Sequence, residues 1–550
     1  MPVISHELFT KKQQIIAAMR SDRLPWWEHW REIADYFLPR RYIWLLSENE
    51  RERIKSKSPF ILDSTGTIAA RTLASGMLNG ITSPSRPWFR LRLPGVRERR
   101  DIRIWLDEVE RILMLVMAET NFYNAMAVLY LDLVVFGTGA MLLYEDFDSV
   151  FRCYNPALGE YYLAQSDRMQ VDRFAREINL KVHQVESRWG EEYLSDEVRS
   201  AFRRGGSSLM QNVRIAHLIE PNRPEDGLVP KRFAYRELYW EAEKNEGKLL
   251  EAKGFNELPG LFPRWELVAN DAYGSSPAMD ALPDVIQLQH ETKKKAQGLD
   301  KLVDPPVIAD IQLQHKPTAL LPRGITYVTT NSFGAKPVYT VNPPIAELTN
   351  DIMEVRARIQ STFHNDLFKM ISQLETVRSA TEIDARREEK LVLLGPVLER
   401  FENEALDPAL RRIFGICTRA GLLPMPPKGI EGADLEITYV SVLSTAQRAV
   451  AAAPIERWVQ FIGAIGGAAP SVLNVPDWDE LVRTYGQDVG VPAKLIRDTE
   501  ESASDTEQQR QQAQLQQSVE TGKVAAEGAA TLAKAPPGGA AAVVRQLIGG

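Results

Sequence analysis

The sequence predicts an α+β fold that is mainly helical. Apolar residues recur every three or four positions over long stretches, most clearly in 101–136 and 276–303, which is the period of an amphipathic helix. Between residues 140 and 270, the pattern is one of short strands and turns, with a few helical turns around 181–202. No internal repeat is evident in the 550 residues.

The composition is that of an ordinary globular protein, with 44% hydrophobic and 25% charged residues. The net charge of −7 disfavours a protein whose main task is gripping DNA, because such proteins are usually basic. Two cysteines, Cys153 and Cys417, give no disulfide framework and favour a reducing compartment. No signal-peptide pattern and no unbroken apolar stretch of membrane-spanning length is evident. We expect a soluble, intracellular protein without a membrane span.

Residues 1–275 form the first part of an α+β domain in this prediction. Two short helices are expected at 7–20 and 25–37, the second opened by Pro25. The stretch 63–79 is rich in small residues, which allow another helix to approach closely. A strand is expected at 88–93, then helical periodicity over 101–136, then the short strands.

Two long amphipathic helices are expected next, over 276–303 and 347–370. The first would be a rod of roughly 40 Å at 1.5 Å per residue. Its apolar stripe contains Val285, Leu288, Thr292, Ala296, Leu299 and Val303. The stripe of the second contains Leu348, Ile352, Val355, Ile359, Phe363 and Leu367. Between the rods, 304–346 holds strand-like pieces separated by Pro and Gly turns.

A polar loop, 371–381, follows the second rod and leads into a long helix. Ser379 and Glu382 fit a capping box, in which each side chain satisfies an otherwise orphan backbone donor. The helix should bend at Pro396 and Pro408, because proline removes a ladder hydrogen bond and its ring clashes with the preceding turn. A strand at 435–440 should rejoin the first domain. Residues 441–505 are expected to be mostly helical, and 506–550 form a low-complexity tail.

No catalytic, cofactor or metal site is expected. Gly137-Thr-Gly139 lacks the spacing and the Lys-Ser/Thr of a phosphate loop, so a turn entering a strand is the better interpretation. No Gly-x-Ser-x-Gly elbow occurs. The seven histidines show no metal-ligand spacing with one another or with the cysteines.

Four basic residues are candidates for contact with phosphate: Lys293, Lys294 and Lys301 on the first rod, and Arg378 in the loop. The plain alternative is a solvated helix face. If the rod faces a channel, sparse cations repeated by symmetry would attract DNA without reading its sequence.

The order of several short motifs resembles that of the portal proteins, or head-to-tail connectors, of short-tailed bacteriophages. The match runs over roughly residues 10–440. The motifs are the Trp-rich 26–39, then 62–66, 73–77, 83–89, 136–140, 263–265, 273–277 and 379–383. Each motif alone is weak, and their ordered set is specific.

This resemblance implies a portal fold assembled as a dodecameric ring around a central channel. A wing would comprise 1–275 and 382–440, the latter being the long kinked helix and the return strand. The stem helices would be 276–303 and 347–370, the clip 304–346, and the crown 441–505. The channel loop would be 371–381, with Ser372, Gln373, Leu374, Glu375, Thr376, Val377 and Arg378 at its centre.

The resemblance also implies a structural role rather than an enzymatic one. Double-stranded DNA would pass through the ring without sequence recognition during packaging and ejection. The implied partners are the terminase large subunit, the major capsid and scaffolding proteins, and a tail adaptor. The implied location is the portal vertex of the virion, reached from the host cytoplasm during assembly.

Two other functions remain open from the sequence. One is an enzyme, such as a phage hydrolase or nuclease with a diffuse acidic site, which no motif supports. The other is an α+β scaffold or adaptor protein of the virion that has no DNA conduit role and oligomerises through its Gln- and Ala-rich tail.

Overall fold

A computed structural model gives the architecture of the chain. It describes residues 5–39, 41, 61–93, 100–243, 248–267, 270–303, 307–309, 311, 335–337, 344–366, 394–428, 430, 436–440, 458–465, 475–478 and 481. The chain divides into two compact units, Met1–Val450 and Ala451–Gly550. In the second unit, the described residues include a helix at 458–465. The tail at 506–550 lies outside the described residues.

The first unit is mixed helix and strand and mainly helical, as predicted. Its principal helices are α1 (His6–Phe37), α2 (Thr65–Ile81), α3 (Arg100–Glu119), α4 (Phe122–Phe136), α5 (Val182–Trp189), α6 (Asp196–Arg204), α7 (Pro277–Val303), α8 (Ile345–Thr362) and α9 (Asp407–Arg419).

The strands form small antiparallel sheets rather than one large sheet. They are β1 (Phe89–Arg92), β2 (Met141–Asp146), β3 (Val150–Tyr154), β4 (Tyr161–Gln165), β5 (Val171–Lys181), β6 (Asn212–Pro221), β7 (Tyr235–Glu241), β8 (Glu251–Phe255), β9 (Gly260–Leu261), β10 (Glu266–Leu267), β11 (Gly274–Ser275), β12 (Val307–Ala309), β13 (Ala335–Pro337) and β14 (Glu436–Tyr439). Among the described strands, the largest sheet has five in the order β4-β5-β6-β7-β8, and a three-stranded sheet has the order β3-β2-β9. Two-stranded pairs join β1 to β14, β10 to β11 and β12 to β13.

The N-terminal region is one helix, so the prediction of two short helices at 7–20 and 25–37 was wrong. α1 runs through Pro25, although proline removes a helical hydrogen bond. Arg23 holds this part of the helix by donating to the carbonyl oxygens of Gly159 at 3.0 Å and Tyr161 at 2.7 Å. Its guanidinium also lies 4.6 Å from the ring centroid of Trp27. These tertiary contacts therefore outweigh the tendency of Pro25 to interrupt the helix.

The helical periodicity over 101–136 is divided between two helices. α3 and α4 bend by 76° at Thr120 and Asn121. Asn121 pairs with the backbone of Cys153, accepting from its N–H at 2.9 Å and donating to its carbonyl at 2.8 Å. The side chain that separates the helices is thus fixed by a strand distant in sequence. The spacing of apolar residues in the sequence does not predict this contact between Asn121 and Cys153.

Among the described helices, none is by itself long and apolar enough to span a membrane. The bent pair α3 and α4 meets that criterion only when both helices are taken together. Most of α4 is buried in the main apolar core.

The small residues of α2 allow the close approach that the sequence predicts. A Cβ atom added at Gly66 would lie 3.0 Å from Cγ2 of Val285 on α7 and 3.2 Å from Cε1 of Phe37 on α1. α1, α2 and α7 therefore meet at this glycine, deep in the main core.

The strand expected at 435–440 does return to the first domain. β14 pairs antiparallel with β1, with Tyr439 opposite Phe89 and Glu436 opposite Arg92. The Tyr439 hydroxyl donates to Asp407 in α9, and its ring stacks on Trp88 with centroids 6.5 Å apart. Residues more than 300 positions apart in sequence thereby close one structural unit.

A buried charge cluster fixes the first half of α1 to the five-stranded sheet. The ammonium of Lys12 lies 2.6 Å from Glu220 and 3.5 Å from Asp226. Arg236 donates to the same oxygen of Glu220 at 2.7 and 2.8 Å and also contacts Asp226. Phe9 packs beside this cluster on Trp240. The two cations and two carboxylates balance, so removing one leaves an uncompensated buried charge.

We predict that Lys12→Ala destabilises the chain by about 3 kcal/mol, because it unbalances this buried cluster. Its neighbour provides a matched control: Lys11 pairs with Glu7 on the exposed face of the same helix. Lys11→Ala should change the free energy of unfolding by less than about 1 kcal/mol. Urea unfolding at one protein concentration measures both, and equal effects of the two substitutions would contradict the assigned role of Lys12.

Candidate functional site

Two antiparallel helices form a hairpin where the sequence predicts two rods. α7 spans Pro277–Val303, close to the predicted 276–303. α8 ends at Thr362, and the backbone is helical again at Asn365 and Asp366. The helix predicted to run to 370 is thus interrupted at 363–364, and its last part, 367–370, lies outside the described residues. The chain turns at Phe363 and His364, with φ +50° at His364, and the buried Phe363 packs against Phe37 of α1. The interruption of the helix thus coincides with the burial of this phenyl ring.

The apolar stripe of α7 is covered by the chain only along its first half. Val285 and Leu288 are fully buried, as are Val355 and Ile359 on α8. Beyond them, the predicted stripe of α7 is open to solvent at Ala296, Leu299 and Val303. The same helical face thus serves as core at one end and as exposed apolar surface at the other.

Gln289 joins α7 to the segment that precedes α2. Its side-chain oxygen accepts from the backbone N–H groups of Leu62 and Asp63 at 2.7 and 2.8 Å. Its amide nitrogen donates to the carbonyl of Asp63 at 2.9 Å. The buried amide of Gln289 therefore provides hydrogen-bond partners for three backbone groups that lie outside regular secondary structure.

Asp63 adds α8 to the same junction. One carboxylate oxygen accepts from Arg356 at 2.6 and 3.0 Å, and the other accepts from Thr65 at the start of α2. Burial acts to raise the pKa of Asp63, but the hydrogen bonds from Thr65 and Arg356 outweigh it and lower the pKa below its ordinary value. We call Asp63, Thr65, Gln289 and Arg356 the hairpin junction. It ties both helices of the hairpin to the main core.

A second ion pair ties the two helices of the hairpin to each other. Arg358 donates to Asp284 at 3.0 Å and to Gln287 at 3.2 Å. Both partners of the ion pair are partly exposed, so water screens the attraction. The hairpin junction, whose carboxylate is buried, should contribute more to holding the hairpin in place.

The candidate cations of α7 lie on its uncovered half. Lys293, Lys294 and Lys301 are all exposed. Within the described residues, no carboxylate pairs with their ammonium groups. A mobile ammonium on a helix surface can contact a phosphate backbone without fixing its register. Arg378, Ser379, Glu382 and the rest of the loop 371–381 lie outside the described residues, so their roles stay predictions.

The helix with the two predicted bends has an irregular turn just before Pro408. Residues 394–401 are α-helical, Glu402–Leu406 form a π-helical segment, and α9 follows. In a regular α-helix the ring of Pro408 would meet the carbonyl of Glu404 and leave it without a donor, and the wider π-turn relieves this clash. The bends at Pro396 and Pro408 themselves stay predictions.

Arg264 holds this π-segment against the sheets. It is 1% exposed, and it donates to Glu404 at 2.6 Å through its side chain and at 2.9 Å through its backbone N–H. It also donates to Gln165 at 3.0 Å. The motif at 263–265 is among those that carry the family resemblance, but nothing in the sequence predicts a role for this arginine. Its partner lies 140 residues away, and only the folded chain brings the two together.

The glycines near residue 137 serve packing, as the turn interpretation expected. Gly137 has φ +74°, and an added Cβ would lie 2.1 Å from the carbonyl oxygen of Gly274. Thr138 accepts from the N–H of Gly274 at 2.9 Å. This close approach of two backbones explains the glycine without any bound phosphate.

The described parts of the chain contain no group of three or more His, Cys, Asp or Glu residues that could hold a metal ion. The two cysteines are free and buried. Burial raises the pKa of Cys153 to about 12 and that of Cys417 to about 11, which suppresses their thiolate forms.

Comparisons with known proteins agree with the portal resemblance. A family model described as "Bacteriophage head to tail connecting protein" matches residues 10–496. The chain is 37% identical over 523 residues to the "Probable portal protein" of Bordetella phage BPP-1, covering 94% of this chain and 93% of that protein. It is also 37% identical over 536 residues to the "Portal protein" of Salmonella phage epsilon15, covering 96% of each chain.

We predict that Asp63→Asn destabilises the chain by about 1–3 kcal/mol at pH 7, because Arg356 loses a buried anionic partner. Since the pKa of Asp63 is lowered in the folded state, its contribution should be complete above about pH 5 and vanish as the pH falls through that lowered pKa.

Urea unfolding at pH 7 and at pH 3 tests this prediction. Asp284→Asn is the matched control, because it removes the exposed partner of Arg358 and should change stability by less than about 1 kcal/mol. A difference between wild type and Asp63→Asn that stays constant down to pH 3 would contradict the account of the junction.

Proposed function

The chain belongs to the bacteriophage head-to-tail connecting protein family, and on this basis we propose that it forms the portal ring of a short-tailed phage. In this proposal, a dodecameric ring occupies one capsid vertex. Double-stranded DNA is packaged through its channel and later ejected through it. The ring first docks the terminase motor and then the tail.

The α7–α8 hairpin is the observation that best supports this proposal. The hairpin junction holds one end of it, and the other end carries an exposed apolar stripe beside exposed lysines. An exposed apolar face on a firmly anchored helix suits packing against a neighbouring copy. Repeated head-to-tail contacts close into a ring when the rotation between copies fits the copy number.

The parts of the ring follow the resemblance. The proposed wing contains 1–275 and 382–440, and the pairing of β14 with β1 suits that division. α7 and α8 would be the stem. The pair β12 and β13 would belong to the clip at 304–346, 371–381 would be the channel loop, and 441–505 the crown.

A sparse positive charge suits a channel in which DNA must slide. The chain as a whole is acidic, at −7, so tight wrapping of DNA is disfavoured. Lys293, Lys294 and Lys301 in each copy would offset the repulsion of phosphates, and Arg378 would do the same in the loop. Ammonium–phosphate contacts carry no sequence information.

The proposed role is structural, and ATP hydrolysis would belong to the terminase. The sequence has no phosphate loop, and the curated relatives are described as portal proteins. The proposed partners are the terminase large subunit, the major capsid and scaffolding proteins, and a tail adaptor. The proposed location is the virion's portal vertex, after assembly in the host cytoplasm.

We predict that the purified chain forms closed rings with a central hole, visible by negative-stain electron microscopy and countable by native mass spectrometry. Rings should persist after deletion of 501–550, because the wing and stem make the contacts. Loss of rings in that variant would favour the scaffold or adaptor that oligomerises through its tail. A chain that stays monomeric beside its capsid partners would refute the proposal.

We predict that reversing two stem charges, Lys294→Glu with Lys301→Glu, spares ring formation and lowers DNA packaging by about tenfold, because repulsion replaces attraction along the channel. The matched control is Lys231→Glu, at an exposed lysine of the proposed wing. Nuclease-protected DNA per particle measures packaging. If the double variant packages as much DNA as the control, these lysines do not act in the channel.

A further inference from the structure

The hairpin of β2 and β3 presents a fully exposed aromatic side chain. Asp146 pairs with Val150 across the two strands, so Phe147, Asp148 and Ser149 form the connecting loop. The relative exposure of Phe147 is 110%, which means that the rest of the chain covers none of it. A phenyl ring in this position is unfavourable in water and is a strong anchor when a partner buries it.

The tip of this hairpin is built rigidly. A carboxylate oxygen of Asp146 accepts from the hydroxyl of Ser149 at 2.7 Å and from its N–H at 3.1 Å. The N–H of Phe151 donates to the carbonyl of Ser149 at 2.8 Å, closing a tight turn around Val150. Val150 has φ +68°, which is strained for a β-branched residue. The loop is therefore held in one conformation.

The base of the hairpin is fixed in the core, which offsets the strain at its tip. Val150 packs on the main core, and the buried Phe151 packs edge-to-face on Phe122 with centroids 6.4 Å apart. Next along β3, Cys153 is paired with Asn121. Phe147 consequently stands in a fixed position relative to the core, and docking would cost little ordering entropy.

The charges beside Phe147 define the chemistry of a partner. Asp146 and Asp148 stand on either side of it. The complementary surface is an apolar pocket rimmed by lysine or arginine, because opposite charges favour the encounter and fix its orientation.

The two large clefts of a second copy of this chain are a poor match for that requirement. Two large clefts among the described residues have volumes of about 880 and 840 Å³, and each is lined by more carboxylates than cations. The second cleft includes Asp146 itself. An aromatic anchor flanked by two aspartates would meet repulsion in either of them.

We propose that Phe147 is the anchor by which this chain docks a different structural protein of the particle, through an apolar pocket with a basic rim. The inference rests on the proposed portal function. It adds a named contact point that faces away from the chain's own core.

Incorporation into particles tests the anchor. Variants are expressed with the structural proteins of the same phage, and copies of this chain per particle are counted by quantitative mass spectrometry. Phe147→Ala should lower incorporation by about tenfold or more, Asp148→Lys should lower it severalfold, and Phe147→Trp should retain it. Met425→Ala removes another exposed apolar side chain, 94% exposed, and should change nothing.

Native mass spectrometry of the same variants separates the possible outcomes. Normal rings of Phe147→Ala with poor incorporation support the proposal. Normal incorporation of Phe147→Ala overturns it, as does loss of its rings, which would make a second copy the occupant. If the wild-type chain forms no ring or enters no particle, the portal function itself fails.

Photo-crosslinking identifies the occupant directly. With p-benzoylphenylalanine in place of Phe147, irradiated particles should yield an adduct to a different structural protein, at a peptide where lysine or arginine adjoins apolar residues. An adduct to another copy of this chain, or none to any protein of the particle, would overturn the proposal.

Discussion

The buried side chains of Asp63 and Gln289 form the constraint on which the placement of the α7–α8 hairpin depends. They join the segment before α2, the middle of α7 and the C-terminal half of α8 through hydrogen bonds of 2.6–3.0 Å. Each group satisfies backbone or charged partners that would be costly to leave unpaired in the core. The small Gly66 lets the helices approach closely enough for these bonds to form.

This constraint gives the hairpin two different ends. Near the junction, Val285 and Val355 are packed inside the chain, whereas Leu299 and Val303 at the far end of α7 are exposed. One part of the apolar stripe of α7 therefore packs in the core of the chain, and the other part is exposed on its surface. Such a division is expected of a subunit that completes its core by assembly, and the exposed lysines lie on the same half.

The sequence predicts the elements whose signal is local. The period of α7 and the alternation of β1 were sufficient, and β14 was expected to return to the first domain. The failures are non-local. α1 passes through Pro25 because Arg23 binds backbone carbonyls near residue 160, and the second rod is interrupted at Phe363, which is buried against Phe37. Arg264 and Glu404 have no local pattern that could mark them as partners. Ser379 and Glu382, by contrast, lie outside the described residues.

In the proposed assembly, copies of the hairpin stand side by side around a common axis, with Lys294 and Lys301 toward a hole that admits a DNA duplex. A cryo-electron microscopy map of the assembly formed by the purified chain tests it most directly. The account predicts α7 and α8 at the inner wall of a closed ring, anchored outward through Asp63. Hairpins at the outer rim, or an assembly without a continuous hole, would contradict it.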